Sequence, residues 1–122
     1  MKVIYIAGPY TSNKGIQGVV RNIRRAEYWA KQVWREGGVA LCPHLNTALF
    51  DGLPDTALKT WLDGGLELLR RCDAILVQGP WKTSPGTMAE MALAKKLGKP
   101  VFNIESPGEW HWEDLTKWLK EG

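Results

Sequence analysis

The 122 residues are 44% hydrophobic and 24% charged, ordinary values for a soluble globular chain, and they exclude disorder, collagen and coiled coil. This length supports one core, so residues 1–122 read as a single domain. No apolar run approaches the roughly 18 residues of a membrane span, and 16 Lys and Arg against 13 Asp and Glu leave a net charge of +3.

The N-terminus passes from one Lys directly into Val3-Ile4-Tyr5-Ile6-Ala7. That run is too short for a signal-peptide core, so the chain reads as cytoplasmic. It is continuously apolar, as expected of a parallel strand buried on both faces. Residues 16–36 place Val19, Ile23, Ala26, Ala30 and Val33 on one helical stripe, closed by Gly37-Gly38. Between residues 14 and 36, six cations (Lys14, Arg21, Arg24, Arg25, Lys31 and Arg35) stand against Glu27 and Glu36, a local net +4. Such a face suits a phosphate-bearing ligand or a nucleic acid, although a solvated helix face is its commoner origin. Val39-Ala40-Leu41-Cys42 is a second, weaker strand. Residues 55–72 space Leu58, Leu62, Leu66 and Leu69 as a helix, in which Gly64-Gly65 predicts a kink or two short helices. Ala74-Ile75-Leu76-Val77 is another strong strand signal. Residues 85–97 carry Ala89, Ala92, Leu93 and Leu97, with Gly98 as the stop. Val101-Phe102-Asn103-Ile104 is the last strand. Glu109 to Lys120 forms a Trp-rich amphipathic helix with Trp112, Leu115, Trp118 and Leu119. Cys42 and Cys72 lack metal-ligand spacing and read as buried free thiols.

The order β-α-β-α-β-α-β-α predicts an α/β fold, a parallel sheet in spatial order 2-1-3-4 with helices on both faces. Ligands of such sheets sit beyond the carboxyl ends of the strands, where the order reverses. The crevice is therefore bounded by residues 8–12, 43–46 and 79–86.

Within Thr83-Ser84-Pro85-Gly86-Thr87-Met88-Ala89-Glu90, Ser84 is a good N-cap and Pro85 a good first helical residue. A well-started helix does not explain Gly86, which costs roughly 1 kcal/mol against Ala inside a helix. It leaves a gap one turn above Glu90, because i and i+4 share a face. A ligand in that gap meets free backbone N–H groups and Ser84 Oγ, which suit a phosphate. It also meets a carboxylate that the helix dipole keeps ionised as nucleophile or base. Tyr5 stands in a strand where an apolar residue packs more simply, so its hydroxyl needs a partner. Gly8-Pro9-Tyr10 gives a tight turn without the GxGxxG dinucleotide fingerprint. His44 follows Pro43 at the end of the second strand; His111 lies far away in sequence, so a zinc site is unsupported. Trp81 lies in the loop over the crevice, where an exposed indole could stack on a base.

The segments IYIAGPYT, PHL, LELLRRCDAILV, GPW and SPGTMAEMALAKKLGKPVF together resemble the nucleoside 2-deoxyribosyltransferase superfamily, over roughly residues 3–104. The likeness is closest to its short phage and bacterial members, and the superfamily also contains nucleoside 5′-monophosphate N-glycosidases. The resemblance implies a flavodoxin/Rossmann-like three-layer sandwich with a sheet of four to five strands. It also implies a dimeric or larger state and cleavage of the bond between a nucleobase and (deoxy)ribose. By position, Glu90 matches the nucleophilic carboxylate and Tyr5 the tyrosine that orients it. Ser84 and Gly86 match the turn that grips a 5′-phosphate or 5′-hydroxyl. The first loop, from Gly8 and Pro9 to Ser12, adds phosphate contacts. His44 and Trp81 are assigned to the base pocket only from their place in the chain. One departure stands out: relatives commonly carry an Asp eight residues before the position of Asp73, and this chain has Gly65 there. Asp63 lies two residues earlier, roughly 200° around a regular helix, and enters the site as acid or base only if Gly64-Gly65 bends the segment. Asp73 itself reads as a cap at the start of the strand.

The leading expectation is N-glycosidic cleavage or transfer on a nucleoside or nucleoside 5′-monophosphate, with Glu90 attacking the anomeric carbon and no metal or organic cofactor implied. The alternative is a nucleotide-binding or sensor module without catalysis, which the missing Asp favours. A more remote reading, the lysine-decarboxylase-like phosphoribohydrolases, normally shows a fuller P-G-G-x-G-T motif, of which only Pro85-Gly86-Thr87 remains. The expected partner is a small nucleoside or nucleotide, with neither membrane nor nucleic acid. Seven Trp in 122 residues exceed what so small a core easily buries. Trp29, Trp34 and Trp61 flank the helical stripes, which predicts a homodimer or larger assembly.

Overall fold

β1 (Val3–Ala7) and β3 (Ala74–Val77), the two continuous apolar runs, lie side by side at the centre of a parallel sheet ordered β2-β1-β3-β4. β2 (Val39–Leu41) and β4 (Val101–Asn103) are its short edges. The structure is a computed structural model, and it describes residues 1–46, 57–104 and 110–121. Central register pairs Ile4 with Ala74, Tyr5 with Ile75, Ile6 with Leu76 and Ala7 with Val77. Because strand side chains alternate in direction, this register sorts the core into two layers. Ile4, Ile6, Ala74 and Leu76 pack with Ala26, Ala30 and Val33 of α1 (Gly15–Arg35) and with Leu115 of α5 (Trp112–Lys120). Tyr5, Ala7, Ile75 and Val77 pack with Leu69 of α3 (Ala57–Arg70) and with Met91 and Ala94 of α4 (Pro85–Lys96). Ile4, Ile6 and Ile75 are fully buried, and each such side chain contributes about 1.5–3 kcal/mol.

Element ends follow local chemistry. Glu36 terminates α1, and Gly37 takes φ +88°, a conformation open to glycine. Ser84 caps α4, its Oγ accepting from Thr87 N at 3.3 Å. Asp73 Oδ2 accepts from Val3 N at 2.7 Å, tying the start of β3 to β1. Cys42 and Cys72 are free and buried.

Several expectations need correction. α3 is one uninterrupted helix through Gly64 and Gly65; packing of its C-terminal half against the core outweighs the glycine propensity cost. Leu62 does not join that core but is 58% exposed. Leu58 and Trp61 lie outside the described side chains, and Glu109 lies outside the described residues. Trp29 is buried rather than flanking, because Trp110 and Trp112 cover it with ring centroids at 5.8 and 5.3 Å. The buried face of α1 is Gly18, Asn22, Ala26, Trp29, Ala30 and Val33, whereas Val19 and Ile23 are only partly buried. Two short turns were absent from the sequence reading: α2 (Pro43–Asn46) and a 3-10 turn at Trp81–Thr83. Among the described residues, no helix is long and apolar enough to cross a membrane.

Candidate active site

β1 carries Tyr5 to the sheet's centre, and α4 lays Glu90 against it. Tyr5 is 2% exposed, and its hydroxyl donates to the Glu90 carboxyl. Burial, and then the neighbouring Glu90 charge, holds the Tyr5 hydroxyl well above the usual phenol range, so it remains a donor. Burial also pushes Glu90 from 4.5 up to about 7, opposed by the Tyr5 hydrogen bond. The helix dipole therefore does not keep this group ionised as expected. Glu90 lies beyond the first turn of α4, where the dipole acts, and desolvation prevails.

This shift has two consequences of opposite sign. A nucleophilic carboxylate must be ionised, so any turnover that depends on Glu90 in that role is expected to rise about tenfold per pH unit up to about pH 7 and then level. The folded carboxyl holds its proton more tightly than the unfolded one. Its contribution to stability is therefore complete below 4.5 and is lost as pH rises to about 7. Rate and melting profiles across pH 4–9 should cross in this way; a flat rate profile removes Glu90 from the chemistry.

The third wall beside this pair is Gly65 of α3, where a Cβ would stand 3.2 Å from Tyr5 Oη. The position is therefore in the site, but it carries no side chain. Asp63 does not take its place. On an unbroken helix it points roughly 200° away from Gly65, and it pairs with Lys59 in solvent. A Cβ at Gly86 would meet nothing within 4 Å among the described residues. Ser84 Oγ is shared between Thr87 N and Thr87 Oγ1, the latter at 2.8 Å.

Across the crevice, Gly8 packs beneath Gln78, and Pro9 O accepts a 2.9 Å hydrogen bond from His44 Nε2. His44 is buried on α2 with its ring tilted against Tyr10, and burial lowers its proton affinity. Its Nδ1 has no hydrogen-bond partner among the described residues. Trp81 is not the exposed stacking surface expected. Its ring packs against the Tyr5 layer, and its buried Nε1 also lacks a partner among the described residues. Ser12 Oγ accepts from Lys14 N at 3.0 Å and folds the first loop onto Gly18.

Two residues, Asn22 and Gln78, went unnoticed in the sequence, and a third, Arg25, was seen there only as one of six cations. Asn22 is buried on α1 and donates through Nδ2 to Tyr10 O and Thr11 O, at 3.1 and 3.3 Å. Arg25 Nη1 donates to Asn22 Oδ1 at 3.2 Å and lies under Gly79, where a Cβ would approach it to 2.6 Å. Gly79 also takes φ +76°. Gln78 is fully buried, with neither amide atom paired among the described residues. A polar residue on an otherwise apolar stripe or strand is the signal that could have found Asn22 and Gln78. A cavity of about 610 Å3 lies between the first loop, α1 and the 3-10 turn. Pro9 and Thr83 line it together with Arg25, and neither Tyr5 nor Glu90 does. Among the described residues, no group of three or more His, Cys, Asp or Glu could hold a metal ion.

Residues 2–104 match the family model described as a domain of unknown function, DUF7768. No curated protein matches the chain in sequence. Among solved structures, the fold is similar to a 2-deoxyribosyltransferase from the psychrotolerant bacterium Bacillus psychrosaccharolyticus. There the TM-score is 0.63 and the identity 21%, over 88% of this chain and 74% of that one. It is also similar to a conserved protein from Enterococcus faecalis V583, with a TM-score of 0.62 and 23% identity over 84% of this chain. The match spans 62% of that protein, less than two thirds of its length. At these identities the likeness is one of fold.

Proposed function

We propose that this chain, which belongs to the DUF7768 family, cleaves or transfers the N-glycosidic bond of a nucleoside or nucleoside 5′-monophosphate. The observation that carries this reading is the half-buried Glu90 carboxyl hydrogen-bonded by the buried Tyr5 hydroxyl of β1. The fold shared with a 2-deoxyribosyltransferase supports it. In this reading the Glu90 carboxylate attacks the anomeric carbon from the gap above Gly86. The C–N bond breaks with its electron pair leaving on the base. Water then releases the sugar, or a second base takes it. With Asp63 turned away, the departing base takes its proton from solvent. Mass spectrometry of a pooled nucleoside and nucleotide mixture incubated with the protein should show free base. Gly65 at the Tyr5 hydroxyl favours a second reading, a binding module without catalysis. Thermal stabilisation by nucleotides with no base release would select it.

The reading includes self-association. Leu62 on α3 and Met88 on the adjacent α4 are 58% and 41% exposed, and Trp34 on α1 is 55% exposed. Light scattering should give at least twice the 13.7 kDa chain mass; a monomer at micromolar concentration would refute this.

A further inference from the structure

Five of the six cations between Lys14 and Arg35 fall into two sets. Arg24 and Lys31 share Glu27 on the outer side, at 3.3 and 3.7 Å. Lys14, at the helix start, and Arg21 and Arg25 within it have no carboxylate partner among the described residues. All three line the 610 Å3 cavity, which has no acidic residue among its described lining. Arg21 and Arg25, four residues apart, share one helical face, and Lys14 precedes the helix as its N-cap residue. At a rise of 1.5 Å per residue, Arg21 lies about 9 Å along the axis from Gly15, the first helical residue, and about 6 Å from Arg25. Gly18 interrupts the row without a side chain, and Ser12 closes over it. The inner end is built rather than incidental: Arg25 is fixed by Asn22, itself 8% exposed, and sits under Gly79.

One phosphoryl group is too small to meet all three cations. A single phosphoryl group at the Arg25 end of the cavity leaves the Lys14 end, lined by Ser12 and Asn13, unmatched. The cavity volume is that of a site for a whole small molecule rather than for a single ion. We infer that the ligand carries a diphosphate, as in a nucleoside 5′-diphosphate or an ester of one, with its inner phosphoryl at Arg25 and its outer one towards Arg21 and Lys14. Guanidinium groups suit such a chain because each can bind a phosphoryl in bidentate fashion. The inference rests on the proposed nucleotide chemistry for the rest of the ligand, but the anion ladder can be tested without it.

Calorimetry on the full chain should compare inorganic phosphate with inorganic pyrophosphate. It should then compare the mono- and diphosphates of the four common ribonucleosides and a 5′-phosphorylated hexanucleotide. Pyrophosphate is expected to bind at least about tenfold tighter than phosphate, and the best diphosphate tenfold tighter than its monophosphate, both gaps narrowing in salt. Arg21→Gln should cut the diphosphate-to-monophosphate ratio to threefold or less, while Arg24→Gln, outside the cavity, leaves it intact. Melting curves of both variants check that they fold. Equal affinities for phosphate and pyrophosphate, or an unchanged ratio in a folded Arg21→Gln, overturn the inference. Tighter binding of the hexanucleotide than of every diphosphate overturns it in favour of a nucleic acid. A pyrophosphate preference without base release from any nucleotide leaves the inference standing and removes the glycosidic reading. Base release from monophosphates without a pyrophosphate preference does the reverse.

Discussion

Glu90→Gln is expected to lower base release at least ~10³-fold, roughly 4 kcal/mol of barrier, while ligand affinity stays within a few-fold. Gln preserves the volume and an oxygen that accepts from Tyr5, but it carries no negative charge to the anomeric carbon. The fold should tolerate the change. At pH 8 the wild type holds an ionised carboxylate that burial disfavours, so the variant should melt no lower and can melt higher. Single-turnover product assays with calorimetry and melting on the same preparations separate these effects. Full activity in a folded Glu90→Gln would place the chemistry elsewhere. A loss of binding equal to the loss of rate would make Glu90 a ligand contact instead.

The second large effect is on stability. In Gly8→Ala the new Cβ would lie 2.6 Å from Gln78 O, and closer still to Gln78 Nε2. The backbone oxygen cannot swing aside, because β1 and β3 are stitched together here by Gln78 N donating to Ala7 O at 3.0 Å. Overpacking of this kind costs typically 1–3 kcal/mol, and contact with backbone places it at the upper end. A melting-temperature drop of roughly 10 °C is expected for a domain of this size. Gly86→Ala is the internal control: its Cβ meets nothing within 4 Å, so the melting temperature should hold or rise. Ligand affinity should fall if the ligand uses that gap. An unchanged melting temperature in Gly8→Ala would mean that the first loop does not press on β3.

What could be read from the sequence was what periodicity encodes. The apolar runs at β1 and β3 announce strands buried on both faces, and the alternation with helices leads to the observed 2-1-3-4 order. Ser84, Gly86 and Glu90 could be grouped because one helix carries all three. What escaped depends on distant partners. Trp29 looked peripheral because the residues that cover it, Trp110 and Trp112, lie some eighty positions later. Gly64-Gly65 looked like a break because propensity sees no neighbour, whereas Gly65 faces the Tyr5 hydroxyl. Arg25 was counted only as charge, since its place under Gly79 requires knowing that α1 and the end of β3 adjoin. Helix dipole reasoning failed at Glu90 because burial, the larger influence, is a property of the assembled site.

Asn22 has a thermodynamic consequence for whatever ligand enters. Its amide grips two consecutive carbonyls of the first loop, and Arg25 in turn holds the amide oxygen. The loop is therefore preorganised. Fixing a residue's backbone costs about 1–2 kcal/mol, and for Tyr10 and Thr11 that cost is met when the chain folds. A ligand bound at this loop would be spared it, so that its affinity would reflect contacts rather than ordering. The loop opens only if Asn22 releases both carbonyls.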